Sequence, residues 1–236
     1  MSDERGEERA GRNEARAAER AELVRQIELE TRATQSLTGL AQLSPQVLAA
    51  MGRVPRHEFV PEELGSRAYQ DGPLPIGYGQ TISQPFVVAL MTELAAITET
   101  SRVLEIGTGC GYQTALLAEL AAEVFTIEIV PELAAAARVR LLRLGYTQVK
   151  MRVGDGYLGW PEAAPFDAIV VTAAAPAVPP ALVAQLRPGG RLVIPVGRAY
   201  HSQELLRIEK DAAGALHEWV VLPVAFVPLV HDLGAA

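Results

Sequence analysis

Val103-Leu104-Glu105-Ile106-Gly107-Thr108-Gly109-Cys110-Gly111-Tyr112 reads as a buried strand that runs into a glycine turn and opens a helix. Glycines in such a turn remove Cβ atoms, so backbone N–H groups and a helix N-terminus approach a ligand closely. The spacing helps to choose the ligand. A dinucleotide-binding turn reads G-x-G-x-x-G, whereas the glycines here sit at 107, 109 and 111 and Tyr112 takes the third place. Glu105, two positions before the first glycine, sits poorly beside a pyrophosphate but suits a cofactor bearing a cationic amine. S-adenosylmethionine (SAM) carries both an amine and a sulfonium. Taken alone, the same stretch is also compatible with an ordinary strand-to-helix turn.

The following strands strengthen the cofactor reading. Val124-Phe125-Thr126-Ile127-Glu128 is a second apolar run ending in a carboxylate, about 20 residues beyond the glycines, where a ribose-binding acid is expected. Val153-Gly154-Asp155-Gly156 follows a third strand-like run and offers a loop carboxylate for an adenine amino group. Glu105, Glu128 and Asp155 thus end or flank three successive strands, on the side where open α/β sheets bind ligands.

Outward from this centre, strand signals at 102–106, 123–128, 148–153, 167–172 and 190–195 alternate with helix signals at 112–120, 131–144 and 178–186. That alternation predicts a doubly wound, mainly parallel sheet with helices on both faces. Extended runs at 204–208 and 216–224 suit an antiparallel edge. Residues 21–50 place apolar side chains at helical spacing, including Leu23, Ile27, Leu37, Leu40, Leu43 and Val47. Between 53 and 85, prolines and glycines are interspersed, which excludes one long helix. The part from Ala68 to Gln84 is rich in apolar and aromatic residues and reads as a substrate loop, with a helix following over 86–96.

Composition sets the outer limits. The 236 residues, 49% of them hydrophobic and 21% charged, are expected to form one enzyme-sized domain over 21–236, with helices and the substrate loop in 21–100 and the cofactor sheet in 101–236. Residues 1–20 hold five arginines against six acids and read as a charged, flexible extension without an export signal. A net charge of −7 argues against a nucleic-acid footprint, and no window is apolar enough for a membrane span. Cys110 is the single cysteine, compatible with a reducing cytoplasm, and His57, His201, His217 and His231 have no metal-site spacing. No metal is expected, and the chain is taken to act as a monomer.

Several further stretches carry a family resemblance. Val54 to Pro61 (VPRHEFVP), Ala68 to Pro85 (AYQDGPLPIGYGQTISQP), Pro165 to Pro176 (PFDAIVVTAAAP), Arg187 to Gly197 (RPGGRLVIPVG) and Phe226 to Val230 (FVPLV) join the glycine turn and Gly154-Asp155-Gly156. Together they closely resemble the bacterial protein-L-isoaspartate O-methyltransferases over roughly residues 40 to 231. The glycine turn belongs to many methyltransferases; Gly79-Gln80-Thr81-Ile82-Ser83 is more specific.

The resemblance implies methyl transfer from SAM to the α-carboxylate of L-isoaspartyl residues in damaged proteins and peptides, leading through a succinimide toward normal aspartate. It implies Ser83 as the catalytic residue, with Thr81, Ile82, Val227, Pro228 and Leu229 at the peptide. Glu105, Gly107, Thr108, Gly109, Gly111, Glu128, Ile129, Asp155 and Gly156 fall at the cofactor. Read from the residues alone, Ser83 serves equally well as a helix cap before Gln84-Pro85. Three features depart from the family pattern: Cys110 in place of the usual serine, Ala225 where many bacterial members carry a basic residue, and the N-terminal extension. The alternatives are a SAM methyltransferase of another substrate class, a nicotinamide oxidoreductase and a non-catalytic SAM-binding protein.

Overall fold

The computed structural model describes the backbone of residues 2–198 and 201–231, and side chains from Arg16 onward. Of the expected charged extension, Met1 and the side chains of 2–15 lie outside the described residues, as do residues 232–236 of the expected domain. Helix α1 spans Ser2–Ala33 and crosses the expected boundary at residue 20 without a break. Alanine, arginine and glutamate favour helix intrinsically, so the charged half continues the helix whose apolar side buries Leu23 and Ile27. Arg16 and Arg20 fasten α1 to the rest of the chain. They donate to the Gly65 carbonyl at 2.9 Å and to the Gly52 carbonyl at 3.1 Å.

Helix α2 (Gln35–Thr38) is a single turn, stopped by Gly39 in the left-handed conformation. Leu37 is therefore 59% exposed, contrary to its place in the apolar pattern, whereas Leu43 and Val47 are buried. Helix α3 (Pro45–Arg53) precedes the stretch expected to be irregular. That stretch contains a small hairpin, β1 (Leu74–Gly77) and β2 (Gln80–Ile82). Its two-residue loop, Tyr78-Gly79, has φ of +54° and +69°, the positive pair that a tight hairpin turn requires.

The remaining elements are α4 (Pro85–Leu94), β3 (Arg102–Ile106), α5 (Tyr112–Ala118), β4 (Glu123–Glu128), α6 (Pro131–Arg143) and β5 (Lys150–Val153). They are followed by β6 (Phe166–Val171), α7 (Pro180–Ala184), β7 (Leu186–Gly197), β8 (Gln203–Lys210) and β9 (Leu216–Val224). Seven strands form one sheet in the order β5-β4-β3-β6-β7-β8-β9. The first five are parallel, and β8 and β9 close one side antiparallel, as expected. The chain winds outward from β3 to β5 and then returns to β6 on β3's other side. The carboxyl ends of β3 and β6 thus form the switch point where sheets of this kind hold ligands.

Side chains alternate between two cores. Val103, Val124, Val170 and Val193 face the core shared with α1, α3, α4 and α5. Leu104, Ile127, Ile169 and Leu192 face the other, where α7 contributes Leu182. Helices lie on both faces as predicted, although α7 is shorter than expected: it begins after Pro179 and ends where Gln185 turns to serve the loop, its amide donating to Leu158 O and its carbonyl oxygen accepting the Trp160 N–H. Among the described residues, no helix is long and apolar enough to cross a membrane.

Candidate active site

The glycine turn is fixed from three directions. Gly107 and Thr108 donate their N–H groups to the Ile127 carbonyl at 2.8 and 3.2 Å, tying the turn to β4. Glu128, at the end of β4, accepts the Gly109 N–H at 2.7 Å on one oxygen and the Val130 N–H at 2.9 Å on the other. From β6, the Thr172 hydroxyl is 2.6 Å from the Gly107 carbonyl and 3.0 Å from that of Ile106. The fit leaves no room for a side chain. A Cβ on Gly107 (φ +93°) would stand 2.5 Å from Thr172 Oγ1.

Above this turn lies a cavity of about 570 Å³, a volume suited to a small-molecule cofactor. Of the residues expected to hold a cofactor, Gly107, Gly109, Glu128 and Ile129 line it. Each Glu128 oxygen has spent one lone-pair direction on a backbone N–H and keeps another for a ligand hydroxyl. The hairpin tip, Tyr78-Gly79-Gln80, forms one wall and Val227 to Val230 another.

Glu105, Thr108 and Gly111 lie below the cavity instead of along it. Glu105 is fully buried, and one of its oxygens accepts from Thr114 at 2.5 Å and Thr126 at 2.6 Å. Burial pushes its carboxyl up to about 8, with the two threonine hydroxyls opposing the rise. Its other oxygen has no partner among the described residues. Glu105 therefore braces the turn from beneath, and Thr108 joins the same hydroxyl chain through Thr126 at 2.6 Å. Gly111 starts α5 with φ +91° and faces Leu141.

Asp155 and Gly156, also expected at the cofactor, do not line the cavity; their loop is tied to the C-terminal segment that does. One Asp155 oxygen accepts the Tyr157 N–H at 2.8 Å and the other meets His231 Nδ1 at 2.9 Å. The His231 ring stacks on Tyr157 with centroids 3.9 Å apart, and the Tyr157 hydroxyl donates to the Leu229 carbonyl at 3.1 Å. A Cβ on Gly156 would meet Ile106 at 2.3 Å, so this loop presses directly on β3.

A second cavity of about 500 Å³ adjoins the first and contains Ser83. Thr81, Thr172 and Val227 line both. The Ser83 hydroxyl has no hydrogen-bond partner among the described residues. Helix α4, which starts two residues later, is instead capped from a distance: Asp71 accepts the Phe86 N–H at 2.9 Å. Capping does not occupy Ser83. Ile82 points into the hydrophobic core at 3% exposure, leaving its backbone to shape the loop. Pro228 and Leu229, expected at the peptide, line the cofactor cavity, while Val227 alone of the three bridges the two spaces.

Sequence reasoning missed Thr172, Tyr78 and Glu132, all of which line the larger cavity. Thr172 had a usable signal, because it is the polar residue at the carboxyl end of the strand beside β3, the same rule that selects Glu128. We expect Gly107→Ala to lower SAM affinity more than about tenfold by calorimetric titration, because strain at positive φ is joined by displacement of Thr172. Gly79→Ala, with nothing within 4 Å of the new Cβ, should cost only the roughly 1 kcal/mol of backbone strain.

Comparisons with known proteins converge on one family. The family model for Protein-L-isoaspartate(D-aspartate) O-methyltransferase (PCMT) matches residues 34–234. Protein-L-isoaspartate O-methyltransferase 2 of Syntrophobacter fumaroxidans is 55% identical over 212 residues, covering 90% of this chain and 86% of that protein. A relative of the same name from a Polaromonas species is 55% identical over 207 residues, 88% and 98% of the two chains. Among solved structures, a protein-L-isoaspartate O-methyltransferase superposes with a TM-score of 0.77 at 28% identity, over 91% of this chain and 67% of that one. A Plasmodium falciparum protein assigned to the same activity, in complex with S-adenosyl-L-homocysteine, superposes with a TM-score of 0.71 at 26% identity, over 87% and 97%. With the family model matched over most of its length and relatives at 55% identity, the chain belongs to the protein-L-isoaspartate O-methyltransferase family.

Proposed function

We propose that this chain transfers a methyl group from SAM to the α-carboxylate of L-isoaspartyl residues in damaged proteins and peptides, with Ser83 as the residue that orients the carboxylate. The observation that carries the reading is the wall common to the two cavities, where Thr81, Thr172 and Val227 separate the cofactor space from the groove holding Ser83. SAM supplies an electrophilic methyl on a sulfonium. Glu128 and the glycine turn would hold it, with Ile129 and the Asp155-Gly156 loop at its flanks.

The protein's own part is alignment. A carboxylate substrate is ionised near neutral pH, so no general base is required. Ser83, relieved of capping by Asp71, is able to donate its hydroxyl hydrogen to one carboxylate oxygen and leave the other for attack. Fixing the reacting groups in this way contributes several kcal/mol of the barrier. The groove wall from Leu222 to Val227 offers an extended edge for an extended peptide, a mode in which backbone hydrogen bonds supply affinity without demanding one sequence. That tolerance suits a repair enzyme.

Residues 21–236 are read as one methyltransferase domain and residues 1–20 as an extension. The net charge of −7 supports polypeptide over nucleic acid as substrate, and the single cysteine supports a cytoplasmic location.

The test is labelled methyl transfer to two peptides that differ only in one L-isoaspartyl or L-aspartyl linkage. Selective labelling of the isoaspartyl peptide is expected; equal labelling, or none despite SAM binding, contradicts the reading. Ser83→Ala should lower kcat by at least roughly tenfold while SAM affinity stays within about twofold, because one hydrogen bond to a charged group is lost and the cofactor cavity is untouched. Equal loss of both would make Ser83 structural.

A further inference from the structure

Helix α1 walls the groove that holds Ser83 through Glu30, and Thr34, just past the helix, continues the wall. Glu30 is the one ionisable side chain among the described residues lining that groove. It precedes the family match, which begins at residue 34. Everything else in the wall is hydroxyl, amide or apolar, so a peptide lying there meets a single group able to change charge.

The setting of Glu30 is built. The Gln84 side-chain amide donates to Glu30 Oε1 at 3.3 Å and to Asp71 Oδ2 at 2.7 Å, bridging two carboxyl groups next to Ser83. Asp71 is anchored in turn by the Phe86 N–H. Two carboxyls held this closely resist carrying two negative charges. Burial first, and Asp71 beside it second, push the Glu30 carboxyl up to about 7, while the Gln84 hydrogen bond opposes the rise. Asp71 is the one titratable group among the described residues that acts on it; α4 presents Phe86 and Val87 to the groove, and the 222–227 segment presents no ionisable side chain.

Resting on the reading that this groove receives the isoaspartyl segment, we propose that Glu30 sets the charge preference for residues flanking the methylated site, favouring a cationic neighbour and disfavouring an acidic one. The reacting carboxylate is itself an anion and would share the groove with Glu30. A flanking lysine or arginine offsets that repulsion, whereas a flanking glutamate adds to it. The preference has a direction in pH. Below about 7 Glu30 keeps its proton and can only donate or accept a hydrogen bond; above it the group is an anion, and discrimination between the two flanks grows.

The experiment compares kcat/KM for isoaspartyl peptides that differ by one flanking lysine or glutamate, placed on either side, at pH 6 and pH 8. For the wild-type chain at pH 8, the lysine peptide should lead by roughly tenfold at the flank that lies against α1, and by less at pH 6. Glu30→Gln, close in shape to the original, should bring the ratio to within about twofold at both pH values, and Glu30→Lys should invert it. A ratio read on one folded enzyme with two peptides is insensitive to a general loss of stability. A lysine preference unchanged in Glu30→Gln, or no preference in an active wild-type enzyme, overturns the role of Glu30 alone. Failure of the wild-type chain to methylate any isoaspartyl peptide overturns the reading of the site beneath it.

Discussion

The active end of this molecule depends on the close contact between Thr172 and Gly107. The hydroxyl at the end of β6 bonds the carbonyls of Ile106 and Gly107 in the space where any other residue's Cβ would stand. This contact joins the two halves of the sheet at the point where the chain reverses its winding. It also makes Thr172 a shared wall, with the cofactor cavity on one side and the Ser83 groove on the other. The same constraint that closes the sheet therefore gives the two cavities a common boundary.

Around that joint, polar groups divide their work by depth. Glu105 and the threonine hydroxyls beneath the turn are buried and brace it. Glu128, one strand over, faces the cavity but still uses both oxygens to hold backbone N–H groups. Asp71 performs the capping that Ser83 is otherwise suited to perform, which leaves the Ser83 hydroxyl without that bond. At the far wall, His231, Tyr157 and Leu229 bind the C-terminal segment to the Asp155 loop. The cavity thus gains a side that the sheet itself does not supply.

Much of this was legible in the residues. Strands β3 and β4 match their expected bounds because central parallel strands are buried on both faces and stand out as apolar runs. Edge strand β5 begins later than expected, at Lys150, since half of its surface is solvated and its start lacks an apolar marker. The hairpin of β1 and β2 escaped notice because Pro75, Gly77 and Gly79 interrupt any alternation; its turn, not its strands, specifies the pairing. Strand-end carboxylates were readable as a set, but their depth was not: Glu105 and Glu128 look alike in sequence and share one face of the sheet, yet Glu105 pairs with Thr126 in the register while Glu128 stands two residues further toward the carboxyl ends. Glu30 was invisible, because its place in the groove follows from long-range packing of α1 against α4.

The central claim is that a peptide carboxylate and the cofactor meet across the wall formed by Thr81, Thr172 and Val227. A crystal structure of the chain with S-adenosyl-L-homocysteine and an L-isoaspartyl peptide tests it most directly. The account predicts the isoaspartyl α-carboxylate within hydrogen-bonding distance of Ser83 Oγ, facing the cofactor sulfur past Thr172. A peptide bound elsewhere, or a carboxylate turned away from Ser83 with the cofactor in place, would contradict it.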